Sequence, residues 1–150
     1  MYKHILVAID ESNASKRALA EAVKLAGAQK AQLRLINIVD QSLSSFGEHG
    51  WASSAKTQEI LEMTREASVK ILEEALHFCR KAGLEAQTAM PKTTEVDVAN
   101  NIIKEAEQWP ADLIVMGTHG RRGVQRLVMG SVATGVVHGT RVPVMLVREH

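Results

Sequence analysis

Residues 117–131 read GTHGRRGVQRLVMGS, and their glycine spacing is the most chemically specific feature of the chain. Gly117 and Gly120 follow an apolar run, where a turn needs positive φ or where a ligand approaches main-chain N–H groups closely. Gly130 and Ser131 open a helical segment, whose first turn carries unsatisfied N–H donors and partial positive charge. Phosphate suits such a place. The Ser131 hydroxyl adds a donor, and Arg121 and Arg122 can make charge-assisted bonds to outer phosphates. The same residues also fit plain turn chemistry, because glycine is common between strand and helix, serine is a good N-cap, and loop arginines are usually solvated. His119 is either a ligand contact or an incidental loop residue.

Other sequence signals of nucleotide or metal chemistry are missing. There is no G-x-x-x-x-G-K-[ST], and the first strand-to-helix turn, AIDESNAS, holds no glycine, which argues against a dinucleotide fingerprint and hydride transfer. The six histidines are scattered without metal-ligand spacing, so no metal site from protein side chains is expected. No G-x-S-x-G elbow is present. Lys and Arg total 18 against 17 Asp and Glu, for a formal charge of +1, so the chain has no global basic field to draw nucleic acid or an anionic membrane. Cys79 is the single cysteine, which excludes an internal disulfide framework and suits a reducing compartment. With no leader and no run of eighteen apolar residues, the expectation is a cytoplasmic protein without membrane insertion. A length of 150 residues predicts one domain over 1–150.

The elements that must position these residues follow from the apolar pattern. Short branched runs at 4–9, 32–39, 84–90, 112–117 and 143–147 predict strands. Between them, Ala18, Leu19, Ala22, Val23, Leu25 and Ala26 fall at helical spacing. A longer helix is expected from about 55 to 82, with Ile60, Leu61, Ala67, Ile71, Leu72, Ala75, Phe78 and Cys79 on one stripe and Gly83 ending it. A third begins near Thr94, where TEVD reads as a capping box, and Pro110 closes it. A short fourth starts at Gly130 and Ser131. This alternation predicts an α/β doubly wound domain, a parallel sheet with helices on both faces, and a ligand site beyond the carboxyl ends of the strands. The stretch 40–54 breaks the short-loop pattern and reads as a surface loop or a lid.

The spacing G-x2-G-x9-G-S from Gly117 to Ser131, with ILVAIDES and ADLIVMGTHGRRGVQRLVMGSVA, resembles the ATP-binding branch of the universal stress protein family over essentially the whole chain. The resemblance implies a five-stranded sheet of order 3-2-1-4-5, of the adenine nucleotide alpha hydrolase-like kind. It implies that Ala8, Ile9 and Asp10 line the nucleoside end, with Asp10 accepting from ribose hydroxyls. Ile38 would meet the adenine edge through its main chain, and Met116 and Gly117 would border base or ribose. Gly120, Gly130, Ser131, Val132 and Ala133 would hold phosphates, with His119, Arg121 and Arg122 beside them. On the residues alone, Asp10 can equally help Ser12 cap the first helix, and Ile38 and Met116 can be core. Two departures stand out. Asn37 occupies a position where the family usually has histidine, and the turn PKTTEVDVANNI lacks the family's glycine, leaving Lys92 either near a phosphate or solvated.

The implied cofactor is ATP with Mg²⁺ or Mn²⁺. The implied partners are an adenine nucleotide, a second copy joined through strand 143–147, and an unidentified protein. VPVMLV supports that pairing, since an apolar edge strand invites cover, and Pro143 costs little at a strand start. The first reading is a nucleotide-dependent stress-response switch. A slow or partner-dependent ATP hydrolase is the alternative, with His119 as its one candidate base, and a nucleotide-free interaction scaffold is a third.

Overall fold

Strands form where branched apolar residues run together, and helices form where apolar residues recur every three and four positions. The computed structural model describes residues 1–40, 55–93, 97–119 and 129–150. In chain order the elements are β1 (His4–Ala8), α1 (Asn13–Gln29), β2 (Gln32–Ile36), β3 (Val39–Asp40), α2 (Ala55–Lys81), β4 (Ala86–Ala89), β5 (Lys92–Thr93), α3 (Val98–Gln108), β6 (Leu113–Gly117), α4 (Ser131–Gly139) and β7 (Val144–Val147).

Five strands make one parallel sheet of order β4-β2-β1-β6-β7, which is the expected 3-2-1-4-5 order when its strands alone are counted. The chain winds one way from β1 through β2 to β4, then returns to β6 and β7 on the other side of β1. The switch point therefore lies between β1 and β6, where a crevice opens beyond the strand ends.

Ile5, Leu6 and Val7 on central β1 are fully buried because both faces of the sheet are covered. On one face, Val7 and Leu35 pack with Ala18 and Ala22 of α1 and with Leu72 and Cys79 of α2. On the other, Leu6 and Ile114 pack with Ile102 of α3 and Val136 of α4. Burial pushes the Cys79 thiol pKa up, which holds it as an unreactive core group. Among the described residues no helix is long and apolar enough to cross a membrane.

The structure corrects four expectations. The third helix starts at Val98, not near Thr94. Asp97 is its cap and accepts from the Asn100 N–H at 2.9 Å, while 94–96 lie outside the described residues. Ile60 and Phe78 are exposed, because the buried stripe of α2 comprises Ser68, Leu72, Ala75 and Cys79. Phe78 sits one residue off that stripe, and Ile60 about two turns before it. The second strand does not run to 39. Its ladder with β1 ends at Ile36, the Asn37 N–H turns to Ala89 O at 3.2 Å, and Val39 and Asp40 pair instead with Lys92 and Thr93 as a small parallel ladder. The expected third strand likewise shortens to β4. Of the stretch 40–54, residues 41–54 lie outside the described residues.

Two glycines are required where they stand. Gly83 has φ +75° and closes α2, with its N–H donating to Arg80 O at 2.9 Å and the Leu84 N–H to Cys79 O at 3.0 Å. Gly117 lets the end of β6 touch the start of α1. A Cβ there would lie 2.9 Å from Ala14 Cβ and 3.0 Å from the backbone of Ala14 and Ser15. Gly117→Ala is therefore expected to destabilise by about 1–3 kcal/mol, because backbone cannot yield cheaply. Gly27→Ala, which meets nothing within 4 Å, should stabilise by roughly 0.5–1 kcal/mol. Urea unfolding of the two variants checks the opposite signs.

Candidate functional site

The exits of β1, β2 and β6 and the start of α4 surround a cavity of about 610 Å³, within the range of small-molecule sites. A smaller apolar hollow of about 310 Å³ on α2, lined by Ile60, Met63, Thr64 and Ala67, opens outward and offers little polar chemistry.

The cavity is built on a chain of short hydrogen bonds. Beyond β1, the Asp10 N–H donates to Ser15 Oγ at 2.8 Å, and the Asp10 carboxylate accepts from the Ser12 N–H at 2.7 Å. Ser12 is the N-cap of α1, accepting from the Ser15 N–H at 3.1 Å, and its hydroxyl donates to His119 O at 3.2 Å. The turn after β1 is thus bound to the turn after β6. That second turn is itself anchored, since the Thr118 N–H donates to Val147 O at 3.0 Å and the Gly130 N–H to Thr118 O at 2.8 Å. Asp10 fills the capping-side role that its residue type allowed, with one oxygen used and the other uncommitted among the described residues.

Helix α4 begins differently from α1 and α3. Gly130 is its N-cap, with extended φ −60° and ψ 158°, and among the described residues no side chain caps the first-turn N–H groups. Those of Ser131, Val132 and Ala133 are the donors at the edge of the cavity that these residues line. Gly130 O accepts from both the Thr134 N–H and Thr134 Oγ1 at 3.0 Å, which fixes the approach angle of the helix start.

Ala8, Ile9, Asp10, Ile38, Met116, Gly117, His119, Gly130, Ser131, Val132 and Ala133 all border this one cavity. Gly120, Arg121 and Arg122 lie outside the described residues. Met116 is also core, at 5% exposure. The His119 ring has Nδ1 3.0 Å from Thr118 Oγ1, while its Nε2 is buried without a partner. Lys92 belongs to the β3–β5 ladder and does not line the cavity.

Several lining residues had no obvious signal in the sequence. Thr64 and Ser68 stand one turn apart on the inner side of α2, and Asp97 adds a second carboxylate to the lining. Polar side chains within the α2 apolar stripe were the signal available for the first two. Asn37 is the most constrained. It is buried to 7% exposure, its Nδ2 donates to Ile9 O at 2.8 Å, and its Oδ1 has no partner. Among the described residues no cluster of three or more His, Cys, Asp or Glu side chains could hold a metal ion.

Residues 1–148 match the Universal stress protein family. A universal stress protein of Methanocaldococcus jannaschii is 32% identical over 149 residues, spanning 99% of this chain and 84% of that protein. The solved universal stress protein UspA of Lactobacillus plantarum superposes with a TM-score of 0.83 at 27% identity, covering 98% of both chains. The universal stress protein family protein of Arabidopsis thaliana solved with AMP bound shares the fold, with a TM-score of 0.70 at 17% identity over 99% of this chain and 92% of that one.

Because Ser12 joins the cap of α1 to the β6 turn, Ser12→Ala is expected to lower stability by about 1 kcal/mol, the usual cost of a lost N-cap. Thermal or urea unfolding reads this directly, and a cost near zero would show that the cap does not hold the frame.

Proposed function

The chain belongs to the universal stress protein family, and from that premise we propose that it binds ATP with Mg²⁺ or Mn²⁺ as a member of the nucleotide-binding branch. It then acts as a cytoplasmic, nucleotide-dependent stress-response regulator through homodimerisation and contact with a protein partner. The observation that carries this reading is the uncapped start of α4, Gly130 to Ala133, on the same cavity as Asp10.

The two features divide the ligand between them. First-turn N–H groups and the positive end of the helix dipole favour phosphate oxygens. The second oxygen of Asp10, uncommitted among the described residues, suits a vicinal diol, accepting from ribose hydroxyls. Ala8, Ile9, Ile38 and Met116 give the apolar walls that a base needs, and 610 Å³ accommodates a nucleotide. The Gly117-to-Ser131 spacing, with Gly120, Arg121 and Arg122 beside it, supports the polyphosphate end, where the metal ion would be held by phosphate oxygens and water. The AMP-bound plant protein of the same fold supports an adenine nucleotide as the ligand class.

A binding role is favoured over hydrolysis by His119. Its Nε2 is sealed and its Nδ1 faces Thr118 Oγ1, so the imidazole is poorly placed to orient a water. Dimerisation is supported by β7, where all four residues, Val144 to Val147, remain partly exposed on an edge of the sheet.

Two measurements test the reading. The purified protein is expected to release ATP on denaturation, or to bind added ATP and Mg²⁺ in calorimetry. Gly130→Asp should weaken that binding at least about 100-fold, or roughly 3 kcal/mol, by placing a carboxylate in the anion site. Aspartate is itself a preferred N-cap, so the nucleotide-free variant should melt no lower than the parent. Absence of nucleotide binding by the unmodified chain would remove the switch and leave an interaction scaffold. In sedimentation the protein is expected at twice its 16.4 kDa chain mass, and a single-chain mass would remove the dimer.

A further inference from the structure

Gly135 stands at the middle of α4, where glycine weakens a helix relative to alanine. Its backbone gives no reason for one, since Gly83 is the only glycine with positive φ among the described residues. The reason is space. A Cβ built at Gly135 would lie 2.7 Å from Ala99 Cβ on α3, and among the described residues no other element comes within 4 Å of it. Ala99 Cβ is fixed to its own helix backbone and has no torsion by which to yield, so the two helices must separate before a side chain fits. Gly139, one turn later, differs. A Cβ there meets the terminal Cδ1 of Ile103, also at 2.7 Å, and a side-chain rotation can move that methyl aside.

This contact sets where the donors of α4 stand. The helix start is tethered by the Gly130 N–H on Thr118 O at 2.8 Å, and a short rigid helix held at one end takes its direction from its next support. Helix α3 is a firm support: Asp97 caps its first turn through the Asn100 N–H at 2.9 Å, and Ile102 and Ala106 are buried in the core. We propose that Gly135 is a positioning residue of the anion end, which lets α4 rest directly on Ala99 and so aims the first-turn N–H groups of Ser131, Val132 and Ala133 at a phosphate. Gly135 does not itself line the cavity. The inference rests on the nucleotide reading above and adds to it a residue that acts on the phosphate end alone. The nucleoside end is framed by Asp10, Ser12 and Ser15 at the exit of β1, so a shift of α4 leaves it in place.

Two ligands separate the ends: ATP with Mg²⁺, titrated into the full chain by calorimetry, and adenosine, measured by its displacement of the nucleotide. In Gly135→Ala the ratio of ATP affinity to adenosine affinity is expected to fall about five-fold or more, with adenosine held within about two-fold of the parent. Gly135→Ala/Ala99→Gly removes the opposing methyl and should restore the ratio to within about two-fold. Gly139→Ala should leave the ratio unchanged. Ala99 also lines the cavity, and the ratio is the readout because a wall contact common to both ligands cancels in it. The higher helix propensity of alanine offsets part of the crowding, so Gly135→Ala is expected to fold. Where it does not, Ala99→Val crowds the same contact from α3 and should lower the ratio in the same direction. An unchanged ratio, an equal weakening of both ligands, or a loss that Ala99→Gly does not repair overturns the role of Gly135 while leaving nucleotide binding intact. Binding of neither ligand by the unaltered chain overturns the nucleotide reading and this inference with it.

Discussion

The hydroxyl of Ser12 is the joint that fixes the site. It accepts from the Ser15 N–H and donates to His119 O, so a single oxygen closes the first turn of α1 and ties that turn to the loop after β6. Ser15 returns the favour by accepting from the Asp10 N–H. Two segments far apart in sequence, the turn after β1 and the turn after β6, are thereby held at hydrogen-bond distance on one sheet edge. The close approach at Gly117 is what makes this possible, since any side chain there would push α1 away from β6 before the serine could reach. The frame thus rests on two serine hydroxyls working with main-chain groups at the strand exits.

Against that frame, the helix starts divide by electrostatics. Helices α1 and α3 satisfy their first turns internally, through Ser12 and Asp97. Helix α4 has a glycine at the cap and, among the described residues, no side chain that serves its donors. A buried helix start without partners is costly, and a partly open one is a standing preference for an anion. In the proposed reading the local dipoles would supply the attraction for an anion in a chain whose net charge is only +1.

Much of this was legible in the sequence because it depends on periodicity and on glycine. The alternation of branched runs with helical stripes gave the element order and the doubly wound parallel class, and the strand order came from the family resemblance. The spacing from Gly117 to Ser131 pointed to the α4 start, and Asp10 to the β1 exit. What was misread depends on competition between local signals. TEVD contains two possible caps three residues apart, and the cap of α3 is Asp97 at its end. The second strand runs on in hydrophobicity through Ile38 and Val39, yet the ladder breaks at Asn37, whose N–H and Nδ2 are both drawn to neighbouring strand exits. Ser68 was hidden because a small hydroxyl in a helical stripe is compatible with either core or cavity, and only the packing of α2 on the sheet decides between them.

The two edges of the sheet differ in a way that bears on how binding could be felt elsewhere. At the β4 edge the chain invests in polar cover: Arg34, paired in register with Gln87, bonds that residue and Glu105 at 2.7 Å and lies 4.9 Å over the Trp109 ring. Gln87 and Thr88 are exposed there, which discourages a further strand. The β7 edge has no such cover among the described residues and presents Val144, Met145, Leu146 and Val147 half-buried. Val147 is also the residue whose carbonyl holds the Thr118 N–H, and Thr118 O in turn holds the Gly130 N–H. The apolar edge and the uncapped helix start are therefore two hydrogen bonds apart through one residue. Under the proposed reading, a strand added along β7 and an anion held at Gly130 would both bear on Thr118, one through the Val147 carbonyl and the other through the Gly130 N–H.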